Sequence, residues 1–369
     1  MTTTTAWKVP LADPGAEYRE IAPEILSAVS GVLASGQYVM GEQVAAFEQE
    51  WAQACEAVWC VGVASGTDAL LGVLRYLKEN KGVRRVWVPD MTFWATAEAV
   101  LLAGLKLELV DIRSNGLMDP LQLRLRRHDA ILPVSLYGLD ADLAASDEYP
   151  IVLDAAHAHG HIHHTRSFAS CASFYPTKNL SAVGQAGAVV TNDTKLRDWL
   201  RLWRNHGEGE PRFTHLRAAG NHRMDEMQAA VLRVKLRHLA DWNKRRREIA
   251  GQYDAAFGTR RLSPNRLCAA QHDTSWKRHV YHIYGLWTDR GASSLATHLE
   301  SNGIQTGRRY RPLHTQPALA RDWSKKAGRF LSASAWWESV VNLPIYPQMN
   351  DRQVERVVDA VLAWKPREA

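Results

Sequence analysis

Two segments decide the fold of this 369-residue chain: Ile151-Val152-Leu153-Asp154, and Ala169-Ser170-Cys171-Ala172-Ser173-Phe174 running on into Tyr175-Pro176-Thr177-Lys178. The first is a short apolar run that ends on a carboxylate, which is typical of a buried parallel strand with an acid at its carboxyl end. The second apolar run leads into the Ser173 hydroxyl and, five residues later, the Lys178 amine. We therefore expect an acid, a hydroxyl and a lysine to meet where two strands end.

Acid, hydroxyl and lysine are the three groups that a pyridoxal phosphate pocket requires. A buried carboxylate keeps the ring nitrogen protonated, so that the ring can accept electrons, and Asp154 is predicted to do this. A lysine holds the aldehyde as a Schiff base and then moves a proton, and Lys178 is predicted for both tasks. Each residue alone has an ordinary explanation, since Asp154 could cap a helix and Lys178 could be a solvated side chain.

The cofactor's phosphate and ring also have candidate partners. Ser65-Gly66-Thr67 precedes a helical pattern, and the N-terminus of a helix offers N–H groups to an anion. Ser173 is predicted to add its hydroxyl there. Phe93 is the best candidate for the aromatic face that covers the ring.

The pattern from Trp59 onward predicts an α/β fold. Strands and helices alternate, with strands over 59–63, 85–88, 106–110 and 130–134 and helices over 67–77, 92–103 and 119–127. Such alternation predicts a mostly parallel sheet covered by helices on both faces. Ligands of such sheets bind off the carboxyl ends of the strands, where Ser65, Phe93 and Asp154 are expected.

Helical spacing outside this region completes the prediction. It indicates helices over 16–34, 194–204, 223–249 and 293–301, and a further strand over 280–287. We predict a large cofactor-binding domain over residues 1–249 and a smaller C-terminal α/β domain over residues 250–369.

Composition excludes several other classes of protein. The chain is 46% apolar and 23% charged, and its net charge of +6 is modest and spread along the sequence, so that nucleic acid is not predicted as a partner. No apolar run reaches about 18 residues, so a membrane is not predicted as a partner either. The four cysteines show no paired spacing and are predicted to be reduced thiols of a cytoplasmic protein. The glycine spacing of a dinucleotide or triphosphate loop is missing.

A cluster of histidines raises the question of a metal. His157, His159, His161 and His163 recur at period two, as if along one strand face, and His164 follows. Imidazoles on one face can share an ion, but Gly160 interrupts the run and no cysteine or carboxylate stands at matching spacing. We predict no metal site.

Several motifs, in order, resemble those of the sugar aminotransferases named for DegT, DnrJ and StrS. The motifs are Ser65-Gly66-Thr67-Asp68-Ala69-Leu70, Val88-Pro89-Asp90-Met91-Thr92-Phe93, Asp154-Ala155-Ala156-His157-Ala158-His159-Gly160, Ser173-Phe174-Tyr175-Pro176-Thr177-Lys178-Asn179-Leu180, Arg204-Asn205-His206-Gly207, Asn221-His222-Arg223-Met224-Asp225-Glu226 and Leu343-Pro344-Ile345-Tyr346-Pro347. The resemblance runs from about Gly36 to the C-terminus and implies the type I fold of pyridoxal phosphate enzymes.

The resemblance also implies roles for individual residues. Asn221 would reach the cofactor phosphate of a neighbouring subunit, which implies a homodimer with a shared active site. Tyr38 would lie near the substrate mouth. His157 stands where the family usually has glutamine beside the cofactor's ring oxygen, and Gln185 stands where the family tends to have aspartate. We expect the change at Gln185 to alter a loop and not the chemistry.

A basic segment, Gly307-Arg308-Arg309-Tyr310-Arg311-Pro312-Leu313-His314, is the candidate for substrate binding. It matches the place where the family has a histidine and tyrosine before Pro-Leu-His, with Arg309 in place of that histidine. Three arginines around Tyr310 would bind a diphosphate or a carboxylate, and the alternative is a basic surface loop. Arg309, Tyr310 and His314 are the predicted substrate-binding residues here.

The resemblance implies a ping-pong transfer of an amino group from glutamate or glutamine to a ketone. The ketone would be that of a nucleotide-linked keto sugar or of a related cyclitol. Two alternatives remain. A dehydratase relative would tend to have histidine in place of the lysine, so Lys178 argues against it. A non-catalytic sugar-binding or regulatory paralogue would have no need for Asp154, Ser173 and Lys178 together.

Overall fold

The structure, a computed structural model, describes residues 7–141, 146, 148–161, 167–258, 267–269, 278–289 and 291–365. Seven strands make up its central sheet: β1 (Trp59–Val63), β2 (Arg85–Pro89), β3 (Lys106–Val110), β4 (Asp129–Ile131), β5 (Val152–Asp154), β6 (Ala169–Ser173) and β7 (Gly187–Thr191). They lie in the order β3-β2-β4-β5-β6-β7-β1, in which the parallel bridges Ile131–Ile151 and Val134–Asp154 join β4 to β5. Only β7 runs antiparallel to its neighbours, so the predicted mostly parallel sheet is confirmed.

Seven helices precede or flank this sheet: α1 (Pro14–Glu20), α2 (Ala22–Ser35), α3 (Glu42–Ala54), α4 (Gly66–Lys81), α5 (Trp94–Leu102), α6 (Thr194–Trp203) and α7 (Glu226–Phe257). Alternate strand residues enter two apolar clusters, because successive side chains of a strand point to opposite faces. Val189 packs with side chains of α4, α5 and α6, whereas Ala188 and Val190 pack with side chains of α3 and α7. Both faces of the sheet are therefore covered, as predicted.

The C-terminal part of the chain contains a small antiparallel sheet, with β10 (Leu267–Ala269), β11 (Tyr284–Thr288) and β12 (Val340–Leu343) in that order. Helices α8 (Ala292–Ser301), α9 (Ala320–Trp323), α10 (Leu331–Ser339) and α11 (Asp351–Ala363) accompany it, and a short hairpin of β8 (Glu208–Gly209) and β9 (Thr214–His215) lies before α7. Because α7 runs without a break across residues 249 and 250, the predicted division there coincides with no break in the backbone. It stays a prediction.

The predicted helix over 119–127 is wrong. Only a 3₁₀ turn over Pro120–Gln122 forms, and Leu123 is already extended. The Asp119 carboxylate accepts a hydrogen bond from the Leu121 N–H (3.1 Å), which closes the turn. Leu123 and Leu125 then pack against the apolar cluster around Trp87. Their spacing of two residues puts both side chains on one face of an extended segment, which a helix would not do.

Other predicted boundaries shift. The helix predicted over 16–34 is two helices that meet at Ile21, since Pro23 lies at the start of α2 and proline is accepted in a first turn. It ends as predicted at Gly36, whose φ of 68° is left-handed. The strand predicted over 280–287 begins only at Tyr284.

None of the helices in the described ranges has an apolar stretch long enough to cross a bilayer.

Candidate active site

A cavity of about 450 Å³ opens at the carboxyl ends of β5 and β6. Its volume lies in the range of roughly 300–1,000 Å³ that is typical of small-molecule sites. Ten of the predicted site residues line it: Ser65, Gly66, Thr67, Phe93, Asp154, His157, Ser173, Lys178, Arg309 and Tyr310. The cavity brings together residues that end or follow β1, β2, β5 and β6 and residues of the C-terminal part. Parallel strands bring their carboxyl ends to one edge of the sheet, which explains why they meet.

Asp154, the last residue of β5, presents its carboxylate to the cavity and is 6% exposed. The Thr96 hydroxyl donates to Oδ2 (2.8 Å), and the Ala156 N–H donates to Oδ1 (3.1 Å). Burial raises the pKa of this carboxyl, while these two hydrogen bonds and the charge of Lys178 act in the opposite direction. A carboxylate has about four acceptor positions, so the group still has capacity for a protonated partner in the cavity.

Lys178 lies in a tight turn after β6, in which its backbone N–H donates to the Tyr175 carbonyl (2.8 Å). Its Nζ forms no hydrogen bond or ion pair with the residues that the structure describes, although the residue lines the cavity. Burial lowers the pKa of the amine to about 7; the charge of Asp154 raises it and that of Arg309 lowers it. With such a pKa, a large fraction of the amine is unprotonated and nucleophilic near neutral pH.

The turn that carries Lys178 is fixed by its neighbour Asn179. The Asn179 amide Nδ2 donates to Oδ1 of Asn243 in α7 (2.8 Å) and to the carbonyl of Val280 (2.9 Å). Its Oδ1 lies 3.1 Å from Nδ1 of His282. Two separate parts of the chain, α7 and residues 280–282, therefore hold the residue beside the lysine.

The N-terminus of α4 packs directly on Ser173. A Cβ on Gly66 would lie 2.5 Å from Cβ of Ser173, so that only glycine fits there. Oγ of Ser65 accepts from the Asp68 N–H (3.0 Å) and donates to Oδ2 of Asp68 (2.9 Å). The N–H groups of Gly66 and Thr67, at the first two positions of the helix, have no acceptor within α4. The arrangement is a cradle for an anion, with the Ser173 hydroxyl at its edge.

His157 is a neutral hydrogen-bond donor on the cavity wall. Nδ1 accepts from the Tyr137 N–H (3.2 Å), so the proton is on Nε2, which lies 3.3 Å from the Tyr310 hydroxyl. Burial, with the charges of Lys178 and Arg309, holds the pKa of His157 well below its usual value. The Phe93 ring is half exposed beside them and lies 5.5 Å from the Tyr310 ring, centroid to centroid.

Only one of the three arginines around Tyr310 faces the cavity, so each of the two alternatives, a ligand-binding segment and a basic surface loop, holds for a part of this segment. Arg309 lines the cavity. Arg308 stacks on Trp337 and hydrogen-bonds to the carbonyl of that residue, and Arg311 donates to the Thr315 hydroxyl (3.0 Å).

Three predicted residues lie off the cavity wall. His314 is buried, and its Nδ1 is 2.6 Å from Oδ2 of Asp90. Tyr38 and Asn221 are on the surface of the single chain, and Oδ1 of Asn221 accepts from Arg223 (2.8 Å). These three residues do not line the cavity of this one chain, and their roles stay predictions.

Nine of the residues that line the cavity were not predicted from the sequence, and four of these could contact a ligand through long or polar side chains. These four are Tyr175, Thr177, Gln185 and His282. Gln185 was expected only to alter a loop, but that loop forms part of the cavity wall. His282 stood within a predicted strand, and its position before β11 gave no signal that it would turn toward Lys178.

The histidine cluster does not form a strand face. Residues 155–160 form turns, in which His157 lies at the cavity and His159 packs against Trp51 and Phe174. His163 and His164 lie outside the described residues. Among those that are described, no group of three histidines, cysteines or acids could hold a metal ion.

The sequence profile of the DegT/DnrJ/EryC1/StrS aminotransferase family matches residues 19–362. The chain belongs to this family. A dTDP-3-amino-3,4,6-trideoxy-alpha-D-glucose transaminase of Streptomyces venezuelae is 38% identical over 98% of this chain and 97% of its own length. The erythromycin biosynthesis sensory transduction protein EryC1 of Saccharopolyspora erythraea is 38% identical over 96% of this chain and 99% of its own length.

Among solved structures, that of S. venezuelae DesV in complex with a ketimine intermediate superposes with a TM-score of 0.87 at 35% identity, over 99% of this chain and 100% of that one. The predicted family, type I fold and enzyme class are confirmed: this DegT-family protein is a sugar aminotransferase, and pyridoxal phosphate is its cofactor.

Proposed function

We propose that this aminotransferase moves an amino group from glutamate or glutamine to the ketone of a nucleotide-linked sugar. The observation that carries the proposal is the unpaired Nζ of Lys178, which shares one cavity with the Asp154 carboxylate and the N-terminus of α4. The S. venezuelae relative, named as a transaminase of a dTDP-linked amino sugar, supports the substrate class.

The residues of the cavity fit pyridoxal phosphate. The α4 cradle has N–H groups for the phosphate, and the spare acceptor capacity of Asp154 suits a protonated ring nitrogen. When bound, the cofactor supplies an aldehyde that condenses with amines and a ring that accepts electron density. Asp154 would keep the ring nitrogen protonated, and the half-exposed Phe93 ring would cover the cofactor.

Lys178 performs two tasks in this proposal. Its unprotonated Nζ would hold the cofactor until the donor amine displaced it. The freed amine would then move a proton from the donor's α-carbon, and a pKa of about 7 suits a group that must both accept and release a proton at neutral pH.

His157 would donate a hydrogen bond to the cofactor's ring oxygen. The Tyr137 N–H fixes the proton on Nε2, so His157 presents a donor. The Tyr310 hydroxyl is its present neighbour and is proposed to contact substrate together with Arg309. Tyr38 and His314 stay as proposed substrate residues; Tyr38 requires a partner subunit to bring it near a cavity, and His314 requires a change in its pairing with Asp90.

We further propose a homodimer in which Asn221 contacts the phosphate of the neighbouring active site. Its exposure on the single chain is consistent with use by a partner. The test mixes Lys178→Ala and Asn221→Ala subunits. Each variant alone should be inactive or strongly impaired, and the mixture should recover activity because half of the hybrid sites contain both native residues. A mixture no more active than its components contradicts the shared site.

The protein is proposed to act in the cytoplasm, with reduced thiols. Cys55, Cys60 and Cys171 are free and buried.

The division into domains of residues 1–249 and 250–369 is likewise proposed, since a second apolar cluster joins Tyr253, Leu286 and Val357 in the C-terminal part. Limited proteolysis tests the division.

A single experiment tests the function. Purified protein with pyridoxal phosphate should be yellow, and borohydride should attach the cofactor to Lys178, as peptide mapping would show. Glutamate or glutamine should convert untreated protein to its aminated form, and a panel of nucleotide-linked keto sugars should then restore the yellow form. A protein that bound the cofactor but did not respond to either donor would contradict the proposal and favour a regulatory role.

A further inference from the structure

Arg309, His282 and Thr177 form an inner wall of the active site. Each of the three lines both the main cavity and a second chamber of about 20 Å³ behind it. The wall adjoins Lys178, which follows Thr177 in the chain and lines the same main cavity. Any group bound against it is next to the reactive amine.

The inner wall has positive charge without a counter-ion. The guanidinium of Arg309 forms no hydrogen bond or ion pair with the described residues. Asp154 is the sole carboxylate among the residues that line the main cavity, and it is already bonded to Thr96 and Ala156. An unpaired arginine with its planar fork of donors is suited to a carboxylate.

His282 adds a hydrogen-bond acceptor to the same wall. Both hydrogens of the Asn179 amide are used by Asn243 and Val280, so Oδ1 of Asn179 must accept from Nδ1 of His282 (3.1 Å). The lone pair of the imidazole is therefore on Nε2, which has no partner in the described part of the chain. The ring is held in place by stacking on His157, with centroids 4.4 Å apart.

The guanidinium without an anion matches the carboxylate of an amino acid, and the imidazole with a free lone pair matches its ammonium group. We propose that the inner wall binds the amino donor as its zwitterion, with the carboxylate on Arg309 and the ammonium donating to Nε2 of His282. This rests on the proposed function. It also places the nucleotide of the second substrate toward the cavity mouth, where Phe93, Tyr175 and Gln185 are exposed.

The test uses the holoenzyme and two probes. Glutarate has the carboxylates of glutamate but no amine, and its binding is measured by calorimetry. Glutamate is followed through amination of the cofactor, which separates the apparent Kd from the limiting rate. Arg309→Met removes the guanidinium, and Arg311→Met is its matched control because Arg311 bonds to Thr315 outside the cavity.

Two substitutions divide the functions of His282. His282→Asn keeps a donor for Asn179 and removes the acceptor at Nε2, whereas His282→Gln places an amide oxygen near the position of Nε2.

Arg309→Met should weaken the binding of both probes about 10- to 100-fold, as expected for one charge-assisted pair, and Arg311→Met should leave the binding of both unchanged. His282→Asn should weaken glutamate about tenfold and leave glutarate within about threefold, and His282→Gln should recover most of the loss.

The outcomes separate this inference from the proposed function. Glutarate binding that is equal in Arg309→Met and wild type would overturn the carboxylate site, even if glutamate still aminates the cofactor. Equal losses for both probes in His282→Asn, or no recovery in His282→Gln, would overturn the ammonium site. Wild-type holoenzyme that ignores glutamate and glutamine would refute the proposed function, and the glutarate titration would still decide the role of Arg309.

Discussion

Replacement of Asp154 by asparagine tests the electrostatic core of the site. The substituted side chain has nearly the same shape, and its oxygen can still accept from the Ala156 N–H. Its NH₂ group would face Thr96, whose hydroxyl can reverse and donate to Thr92, 2.8 Å away. The fold and the cavity should therefore survive, while the negative charge is lost.

The magnitude follows from what the carboxylate faces. Asp154 is 6% exposed, so water cannot replace its charge beside a protonated ring nitrogen. Removal of one preorganised group aimed at a reacting charge typically costs about 2.7–4 kcal/mol, or roughly 10²–10³ in kcat. We expect Asp154→Asn to bind the cofactor and to lose about this much rate.

Stopped-flow absorbance of the amination by glutamate is the assay, with calorimetric affinity for the cofactor measured alongside. Asp129→Asn is the control, since this buried aspartate begins β4 at the other end of the strands and pairs with Arg85 (2.7 Å). It should lower the thermal stability and leave the rate unchanged. A rate for Asp154→Asn within threefold of wild type, at equal cofactor occupancy, would refute the assigned role.

Three further predictions concern the lysine and the cradle. Lys178→Ala should abolish turnover and covalent capture of the cofactor while keeping non-covalent binding; mass spectrometry after borohydride checks this, and an adduct at another lysine would contradict it. Because burial lowers the pKa of Lys178 to about 7, the rate of cofactor capture by the apoprotein should rise with pH and level off above about 8. An ordinary lysine would keep gaining rate to about pH 10.4, which is the outcome that would disprove the shift. Gly66→Ala should weaken cofactor binding at least tenfold, because the new methyl group would lie 2.5 Å from Cβ of Ser173, whereas Gly251→Ala, which meets nothing within 4 Å, should not; equal affinities measured by fluorescence titration would count against the cradle.

The sequence was sufficient for the parallel strands of the sheet and for the residues at their carboxyl ends, because a buried parallel strand is recognised by its apolar run and its ligand-facing residue comes directly after it. Asp154 and Phe93 were found in this way. The antiparallel β7 was not predicted. The segment 119–127 was misread because its leucines face a cluster formed by distant strands, and local spacing does not record which neighbours will be present.

The C-terminal side of the cavity was predicted least well. Arg308, Arg309 and Arg311 are similar in sequence context, and only the path of the backbone decides which one reaches the cavity. His282 was missed since its function depends on which nitrogen holds the proton, and that is set by Asn179, more than a hundred positions earlier. The placement of Asn221 and Tyr38 depends on a second subunit, which one chain cannot supply.

The hydrogen bonds of Asn179 have a consequence for recombining relatives of this enzyme. The residue beside the reactive amine is anchored by Asn243 on one hand and by Val280 and His282 on the other. A chimera spliced between Phe257 and Val280 would import two of the three anchors from a foreign parent, whereas a splice after Ile283 keeps all of them native. Exchange of substrate preference by grafting C-terminal segments should therefore succeed more often with the later junction.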